Sequence, residues 1–224
     1  MKQLIYSGII LSIFLMTGCR SVECKFPLKN ETSKKWEKKL NHSKKHIVKY
    51  WVQLIKERND WNFFSENSQE GLSGKDIASI KLIPTPVYRV DSVDIYNLES
   101  FDTISKILKL DTVNATFYVC KKNEKIVAAI YSKFVNGHWE NGRGYIGIFT
   151  PIAKKIERSL SHKVKIINID VHTFPKGNQR FRYVGYYDCE KQDFMSIQSN
   201  GDVIPLIDNL MELKNRIYSK SRTR

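Results

Sequence analysis

The sequence is short of acidic residues, of cysteines and of several signature motifs. Its 224 residues include 23 aspartates and glutamates against 37 lysines and arginines, which gives a formal net charge of +14 at pH 7. Its 4 cysteines form no Cys-x-x-Cys pair, the spacing that structural zinc sites most often use. Neither a Gly-x-Ser-x-Gly elbow nor a Walker phosphate loop is present. The sequence therefore shows no standard signature of an α/β-hydrolase or of a P-loop nucleoside triphosphatase.

The excess of positive charge predicts acidic partners, such as anionic lipid head groups, nucleic acid or an acidic protein. No recognition helix, zinc finger or RNA-binding signature is present, so nucleic acid is not expected as a partner. Hydrophobic residues make up 42% of the chain and aromatic residues 12%. That content is sufficient for a packed core.

The first 18 residues have the pattern of a secretory signal peptide. Lys2 supplies the positively charged n-region, and Leu4–Met16 is an uncharged, mostly apolar h-region. A bilayer core needs about 20 apolar residues, so this run is short for a membrane span. No later stretch of the sequence is apolar enough to span. We expect residues 1–18 to be removed by cleavage.

The residues Met16-Thr17-Gly18-Cys19 resemble the lipobox of bacterial lipoproteins, although the first position of that motif is usually leucine. The resemblance implies that Cys19 becomes the first mature residue and carries a diacylglyceryl group on its thiol. It implies a lipid anchor in the bacterial cell envelope, and two or three acyl chains hold a protein stably. Arg20 stands where enteric lipoproteins retained in the inner membrane carry aspartate, so the resemblance favours the outer membrane.

Behind the anchor, residues 19–33 are polar and predict a short tether, and residues 34–224 predict a single domain. A helix is expected over residues 34–64, because Trp36 and Leu40 begin a series of apolar residues at steps of three, four or seven. Lysines fill much of the rest of this helix. They are either a solvated basic face or a surface that contacts anionic head groups.

The remaining chain predicts an α+β domain, with an antiparallel sheet of about five strands and helices packed on it. Pro84 and Pro86 exclude a helix there, so Val87–Val90 is interpreted as an edge strand. The Asn136-Gly137 dipeptide predicts a turn. Further strands are expected at residues 115–120, 126–135, 163–174, 180–189 and 194–198, and helices at residues 100–110, 150–160 and 204–218.

If the thiol of Cys19 is acylated, three cysteines remain, and an odd number of cysteines cannot all form disulfides within one chain. Cys120 and Cys189 each end a predicted strand before a polar turn. If those strands are neighbours, a disulfide between the two is feasible, because it needs Cα atoms within about 7 Å. Cys24 would then remain as a thiol or pair with another chain.

Asp170 and His172 lie two residues apart on a predicted strand, so their side chains share one face. A carboxylate that orients an imidazole is half of a nucleophilic triad, and Cys189 or Cys120 would have to supply the nucleophile. The alternative is a polar pair on the open face of a sheet. Downstream, arginines and aromatic residues alternate from Arg180 onward, which is typical either of an interface or of ordinary strand packing.

Metal and cofactor sites are not expected. His42 and His46 share a helix face, but no glutamate stands beside the first histidine as in zinc proteases, and lysines surround the pair. The Gly-x-Gly-x-x-Gly pattern at residues 142–147 lacks the strand-turn-helix setting that dinucleotide binding requires.

Two hypotheses of function follow. The favoured one is a non-enzymatic, membrane-anchored lipoprotein outside the cytoplasm that binds a protein or another envelope partner at the membrane surface. Its partners would be the membrane, through the anchor, and anionic head groups or an acidic envelope protein. The alternative is an envelope hydrolase that uses Asp170, His172 and a cysteine. The sequence does not identify the partner, the substrate or the oligomeric state.

Overall fold

The computed structural model describes residues 25–58, 80–120, 125–146, 150–161, 164–173 and 179–219. Within these residues lies one eight-stranded sheet with the strands β1 Lys81–Val90, β2 Lys109–Cys120, β3 Ile126–Val135, β4 His138–Ile146, β5 Lys165–Thr173, β6 Gln179–Asp188, β7 Asp193–Ile197 and β8 Val203–Pro205. The helices are α1 Glu31–Arg58, α2 Ser92–Tyr96, α3 Thr150–Ser161 and α4 Leu206–Ser219, with short 3-10 turns at Leu98–Ser100 and Ile104–Lys106. The strand order across the sheet is β4-β3-β2-β1-β5-β6-β7-β8.

The prediction of an α+β domain with an antiparallel sheet of about five strands is wrong. The sheet is mixed, because β1 and β5 run parallel while every other neighbouring pair is antiparallel. The sequence analysis missed β4, which is polar and does not alternate, and β8, which has three residues. The turn at Asn136-Gly137 is confirmed, since both residues have positive φ and join β3 to β4 as a tight hairpin does.

Two prolines explain why β1 was predicted as a short edge strand. The strand lies in the middle of the sheet, but Pro84 and Pro86 fall in a part of β1 that pairs with β2 alone. Pairing with β5 begins only at Val87, after a bulge. Proline is tolerated in a strand where one side of the ladder has no partner. The two prolines lack a backbone N–H group, but they lie where β1 has a partner strand on one side only, so they do not interrupt the hydrogen bonds between β1 and β5.

The helix predicted over residues 100–110 is also wrong. A 3-10 turn at Ile104–Lys106 stands there, and β2 already begins at Lys109. Ile104, Ile107 and Leu108 are nevertheless buried. Their helix-like spacing comes from an irregular connection whose apolar side chains pack into the core, which spacing alone cannot distinguish from a helix.

Helices cover both faces of the sheet. Both α1 and α4 pack on one face of the sheet, here called the α1 face. Trp36 and Leu40 of α1 join the cluster around Phe117 and Trp139, and the rings of Phe117 and Trp139 meet edge to face. Leucines of α4 join the neighbouring cluster of Ile167 and Ile169 (Leu206, Leu210 and Leu213).

The opposite face, here called the α3 face, is covered by α3 over one end only. Ala153 and Ile156 of this helix pack with Tyr118, Ile166 and Ile197. Beyond the end of α3, the side chains on the strands of this face become polar. The uncovered end is where the candidate site lies.

The described part of the expected tether, from residue 25 onward, packs on the domain before α1 begins. The Phe26 side chain is 8% exposed, and its ring meets those of Tyr88, Tyr187 and Phe194 with centroids 5.8 to 6.3 Å apart. Asn30 and Ser33 then start α1, since each backbone N–H donates to the other side chain, at 2.9 and 2.8 Å. This reciprocal cap starts the helix at residue 31, ahead of the predicted residue 34. Residues 59–64 of the predicted helix lie outside the described residues.

An ion-pair cluster follows the end of β1. Asp91 lies 2.8 Å from Lys109 Nζ and 2.8 Å from Arg89 Nε, and the same ammonium group lies 2.8 Å from Asp94. The hydrogen bond from Lys109, helped by Arg89, holds the pKa of Asp91 below its ordinary 3.8. Exposed pairs of this kind contribute little to stability at neutral pH. In the described part of the chain, no helix is long and apolar enough to cross a membrane.

Candidate functional site

Asp170 and His172 occupy neighbouring positions of the α3 face on β5. Across the β5–β6 hairpin, Asp170 pairs with Arg182, and His172 pairs with Arg180. Asp170 is 3% exposed, whereas His172 is half-buried. The strand thus places both predicted residues on one face, beside two arginines.

The carboxylate of Asp170 binds arginine and not histidine. It accepts hydrogen bonds from Arg180 Nη2 and, at 3.1 Å, from Arg182 Nε. Among the described residues, no hydrogen bond joins it to His172. Asp170 therefore orients two guanidinium groups, and the carboxylate–imidazole pair that a triad needs is not assembled.

Neither cysteine supplies a nucleophile beside His172. Cys189 is disulfide-bonded, so its sulfur is not available as a thiolate. Cys120 is a buried thiol, and in the strand register it lies opposite Lys81 at the start of β1. His172 lies near the other end of β1, because the preceding residue, Val171, is opposite Val90. Nine residues of strand separate those two ends, which is roughly 30 Å.

The hypothesised disulfide between Cys120 and Cys189 is not formed, because Cys189 is disulfide-bonded and Cys120 is a thiol. Two strands, β1 and β5, separate β2 from β6, so the two strand ends are not neighbours. The sequence has only Cys19 and Cys24 left as partners for Cys189 within the chain. Both lie outside the described residues, as does the lipobox.

Around Asp170, the uncovered end of the α3 face forms a cavity of about 190 Å³, here called the arginine pocket. Five strands contribute to its lining, and its polar residues include Thr116, Lys133, Asn168, Asp170, Arg180 and Arg182. Because β1 lies between β2 and β5, residues from two halves of the sheet meet here. A polar lining of this kind on a rigid sheet is suited to binding a small polar group.

Two deeply buried polar groups lie in the lining. Thr116 is 0% exposed and Asn168 is 5% exposed. The Tyr118 hydroxyl donates to Asn168 Oδ1 at 2.8 Å, and burial raises the pKa of Tyr118 well above 10, so the phenol stays protonated. The hydroxyl of Thr116 and the amide nitrogen of Asn168 have no hydrogen-bond partner in the described part of the chain.

A larger cavity of about 810 Å³, here called the split cavity, lies where β1 and β5 diverge. Pro84 and Pro86 line one side, Lys165 lines the other, and Phe26 and Glu37 are among the residues that close it. Lys165 Nζ pairs with Glu37 and lies 4.3 Å from the centroid of the Phe26 ring. The volume is in the range of small-molecule sites. Lys165 and Glu37 pair with each other, and Lys25 and Lys29 also line the cavity.

The third candidate surface is the outer side of α1. Four exposed lysines, Lys34, Lys38, Lys45 and Lys49, recur at steps of four and seven, so they form one stripe along the helix. At 3.6 residues per turn, this stripe lies opposite the buried Trp36. None of the four ammonium groups pairs with a carboxylate among the described residues. We call this surface the lysine stripe.

The remaining motifs lie on α1 and on β4. His42 and His46 are both exposed on α1, and the described residues contain no group of three or more potential metal ligands. Gly142 and Gly144 lie within β4 and not in a turn between a strand and a helix, so this pattern is not a phosphate loop.

Comparison of the chain with known protein families, curated proteins and solved structures found no match. The site is therefore interpreted from its own residues. The sequence analysis singled out Asp170, Arg180 and Arg182 but missed Thr116 and Asn168. The available signal was the alternation of polar residues in β5, where Asn168, Asp170 and His172 follow at every second position.

Proposed function

We propose that this chain is a lipid-anchored, non-enzymatic protein of the bacterial cell envelope that binds an anionic partner at the membrane surface. The observation that carries the proposal is the lysine stripe, a basic surface that has no carboxylate partner in the described ranges and lies on the helix that follows the expected anchor in the sequence. Supporting it, the residues of the hydrolase alternative do not assemble, since Asp170 binds arginines and Cys189 is in a disulfide.

The anchor would hold this stripe close to the lipid. Phe26, the first buried residue of the described chain, stands seven positions after Cys19. A fully extended chain spans at most about 3.6 Å per residue, so Phe26 lies within roughly 25 Å of an acylated Cys19. The domain therefore has little freedom to move away from the bilayer.

The expected contribution of the stripe is considerable. Near an anionic membrane, each lysine contributes about 1 kcal/mol, and the effect decays within a Debye length. Four lysines would add about 4 kcal/mol at low salt. The head groups of anionic lipids are the partner that this surface fits best, because they present negative charge over the whole length of a helix.

A vesicle co-sedimentation experiment on the Cys19→Ala protein without its signal peptide tests the proposal. Stronger binding to vesicles that contain phosphatidylglycerol than to pure phosphatidylcholine is expected, with a decline at high salt. The double variant Lys38→Gln/Lys45→Gln should bind the anionic vesicles about 30-fold more weakly, at about 1 kcal/mol for each lysine.

The matched control is Lys154→Gln/Lys191→Gln, which removes the same charge at exposed positions away from α1. It should bind nearly as the parent does. Equal binding of the parent to neutral and anionic vesicles would contradict the proposal. The anchor itself is tested separately by palmitate labelling in cells, where Cys19→Ala should abolish incorporation.

A further inference from the structure

The arginine pocket lies on the α3 face, on the opposite side of the sheet from the lysine stripe, so membrane contact through α1 leaves it without a function. We propose that this pocket binds an oxyanion, a single carboxylate or phosphate group presented by a ligand or a partner protein. This inference does not depend on the lysine stripe or on the lipid anchor.

The formal charges of the pocket favour an anion. Lys133, Arg180 and Arg182 contribute three cations, and Asp170 contributes one carboxylate, an excess of two positive charges. Arg180 and Arg182 keep 35% and 38% of their side chains exposed, whereas the side chain of Asp170 is 4% exposed. The negative charge is thus buried beneath the arginines, and the positive charge is accessible from solvent.

The arginines are held in place before any ligand arrives. Asp170 accepts from both of them, and the guanidinium carbon of Arg182 lies 4.2 Å from the centroid of the Tyr131 ring. A guanidinium has five N–H donors, and the bond to Asp170 takes one from Arg182. A fixed fork of donors binds carboxylate and phosphate with little further loss of side-chain freedom.

The two buried polar groups add neutral donors. The Thr116 hydroxyl and the Asn168 amide nitrogen, both in side chains more than nine-tenths buried, have no partner among the described residues. Buried polar groups in folded proteins are almost always hydrogen-bonded. Both side chains line the pocket, and an oxyanion that enters it would offer lone pairs to the arginines and to these donors.

The volume of the pocket limits what enters it. At about 190 Å³, it is smaller than the 300 to 1,000 Å³ typical of pockets that enclose a whole small molecule. It holds the charged group, and the rest of the ligand stays outside. A carboxylate on an acidic partner and a phosphate group have the same donor requirements, and a titration separates them.

The experiment uses the full chain as purified from cells, with ¹⁵N-labelled arginine, in micelles of a non-ionic detergent. Acetate, inorganic phosphate and chloride are titrated separately at equal ionic strength, and the Nε–Hε signal of Arg182 is followed. A saturable shift with acetate or phosphate, and none with chloride, is expected. Saturation with acetate alone identifies a carboxylate ligand, saturation with phosphate alone identifies a phosphate group, and both support the site.

Two variants and one control complete the test. Arg180→Gln should raise the apparent dissociation constant at least tenfold, because it removes a charged donor, and Thr116→Val should raise it about fivefold. Lys154→Gln, on α3 and outside the pocket lining, should titrate as the parent does. The inference is overturned if neither anion saturates, or if Thr116→Val and Arg180→Gln both titrate as the parent does.

Discussion

Replacing Thr116 by valine should stabilise the protein, which is the reverse of what removing a buried hydrogen-bonding group usually does. The hydroxyl is fully buried and has no partner among the described residues. An unsatisfied buried hydroxyl costs about 1–3 kcal/mol in proteins. Valine has nearly the same shape and lacks that group. We therefore expect Thr116→Val to raise the free energy of unfolding by about 1–2 kcal/mol.

The substitution Tyr118→Phe is a matched comparison for which we expect the opposite effect on stability. It also removes one buried hydroxyl from β2, but this hydroxyl donates to Asn168 Oδ1 at 2.8 Å. Its loss leaves a buried acceptor unsatisfied, so we expect unfolding to become easier by about 1–3 kcal/mol. The two variants therefore shift stability in opposite directions, although each removes one oxygen atom.

Urea unfolding in a buffer free of carboxylate and phosphate, followed by tryptophan fluorescence, measures both changes. In a parallel thermal unfolding experiment, each kcal/mol corresponds to about 2–4 °C in Tm for a domain of this size. A loss of 1 kcal/mol or more in Thr116→Val would show that the hydroxyl is hydrogen-bonded, and the reasoning about an unsatisfied donor would be refuted. A gain in stability together with weaker oxyanion binding would show that Thr116 serves the pocket and not the fold.

Three further predictions concern the fold and its environment. Gly185→Ala should destabilise the sheet by about 1–3 kcal/mol or more, because an added Cβ would lie 2.3 Å from the backbone oxygen of Met195 on β7; thermal unfolding measures the loss. If Cys19 is acylated as proposed, Cys24 is the one cysteine left to bond Cys189; non-reducing peptide mapping should then find these two linked, and reduction should cost about 5 kcal/mol because the closed loop is long. Asp91→Asn should lose its stability difference from the parent as the pH falls below about 3.8: the pKa of Asp91 is lowered in the folded protein, so its contribution is present above the unfolded value and disappears on acidification.

The glycine substitution has a control variant, and the other two predictions each have an outcome that would contradict them. Gly137→Ala adds the same methyl group where nothing lies within 4 Å, although φ is +85°, so it should show only the smaller cost of backbone strain, about 1 kcal/mol. Finding Cys189 as a thiol in protein from the envelope would contradict the disulfide prediction. A stability difference that stays constant from pH 7 to pH 2 would contradict the role given to Asp91.

The sequence analysis succeeded where the structure depends on neighbours along the chain. The apolar series that begins at Trp36 predicted α1 and its buried face, because a helix repeats every 3.6 residues whatever it packs against. The alternation of β5 predicted that Asp170 and His172 share a face. Pairing of Asp170 with Arg182 also follows from a local hairpin, in which the turn sets the register.

The errors concern contacts between distant parts of the chain. The Cys120–Cys189 hypothesis required β2 and β6 to be neighbours, but β1 and β5 lie between them. The helix predicted over residues 100–110 had the right buried residues in the wrong conformation. Both outcomes depend on how the whole sheet buries its apolar area, which no short window of sequence contains.

By itself the sequence therefore determined the amphipathic face of α1 and most of the strands, and its resemblance to a lipobox predicts an anchor at Cys19. Only the tertiary structure decided that β1 pairs with β5 in parallel and so brings Thr116 within the same pocket as Asn168 and Asp170. The physical reason is that register within a hairpin is set by a few residues of turn, whereas strand order is set by the burial of every strand at once. The arginine pocket exists because β1 lies between the two halves of the sheet that line it.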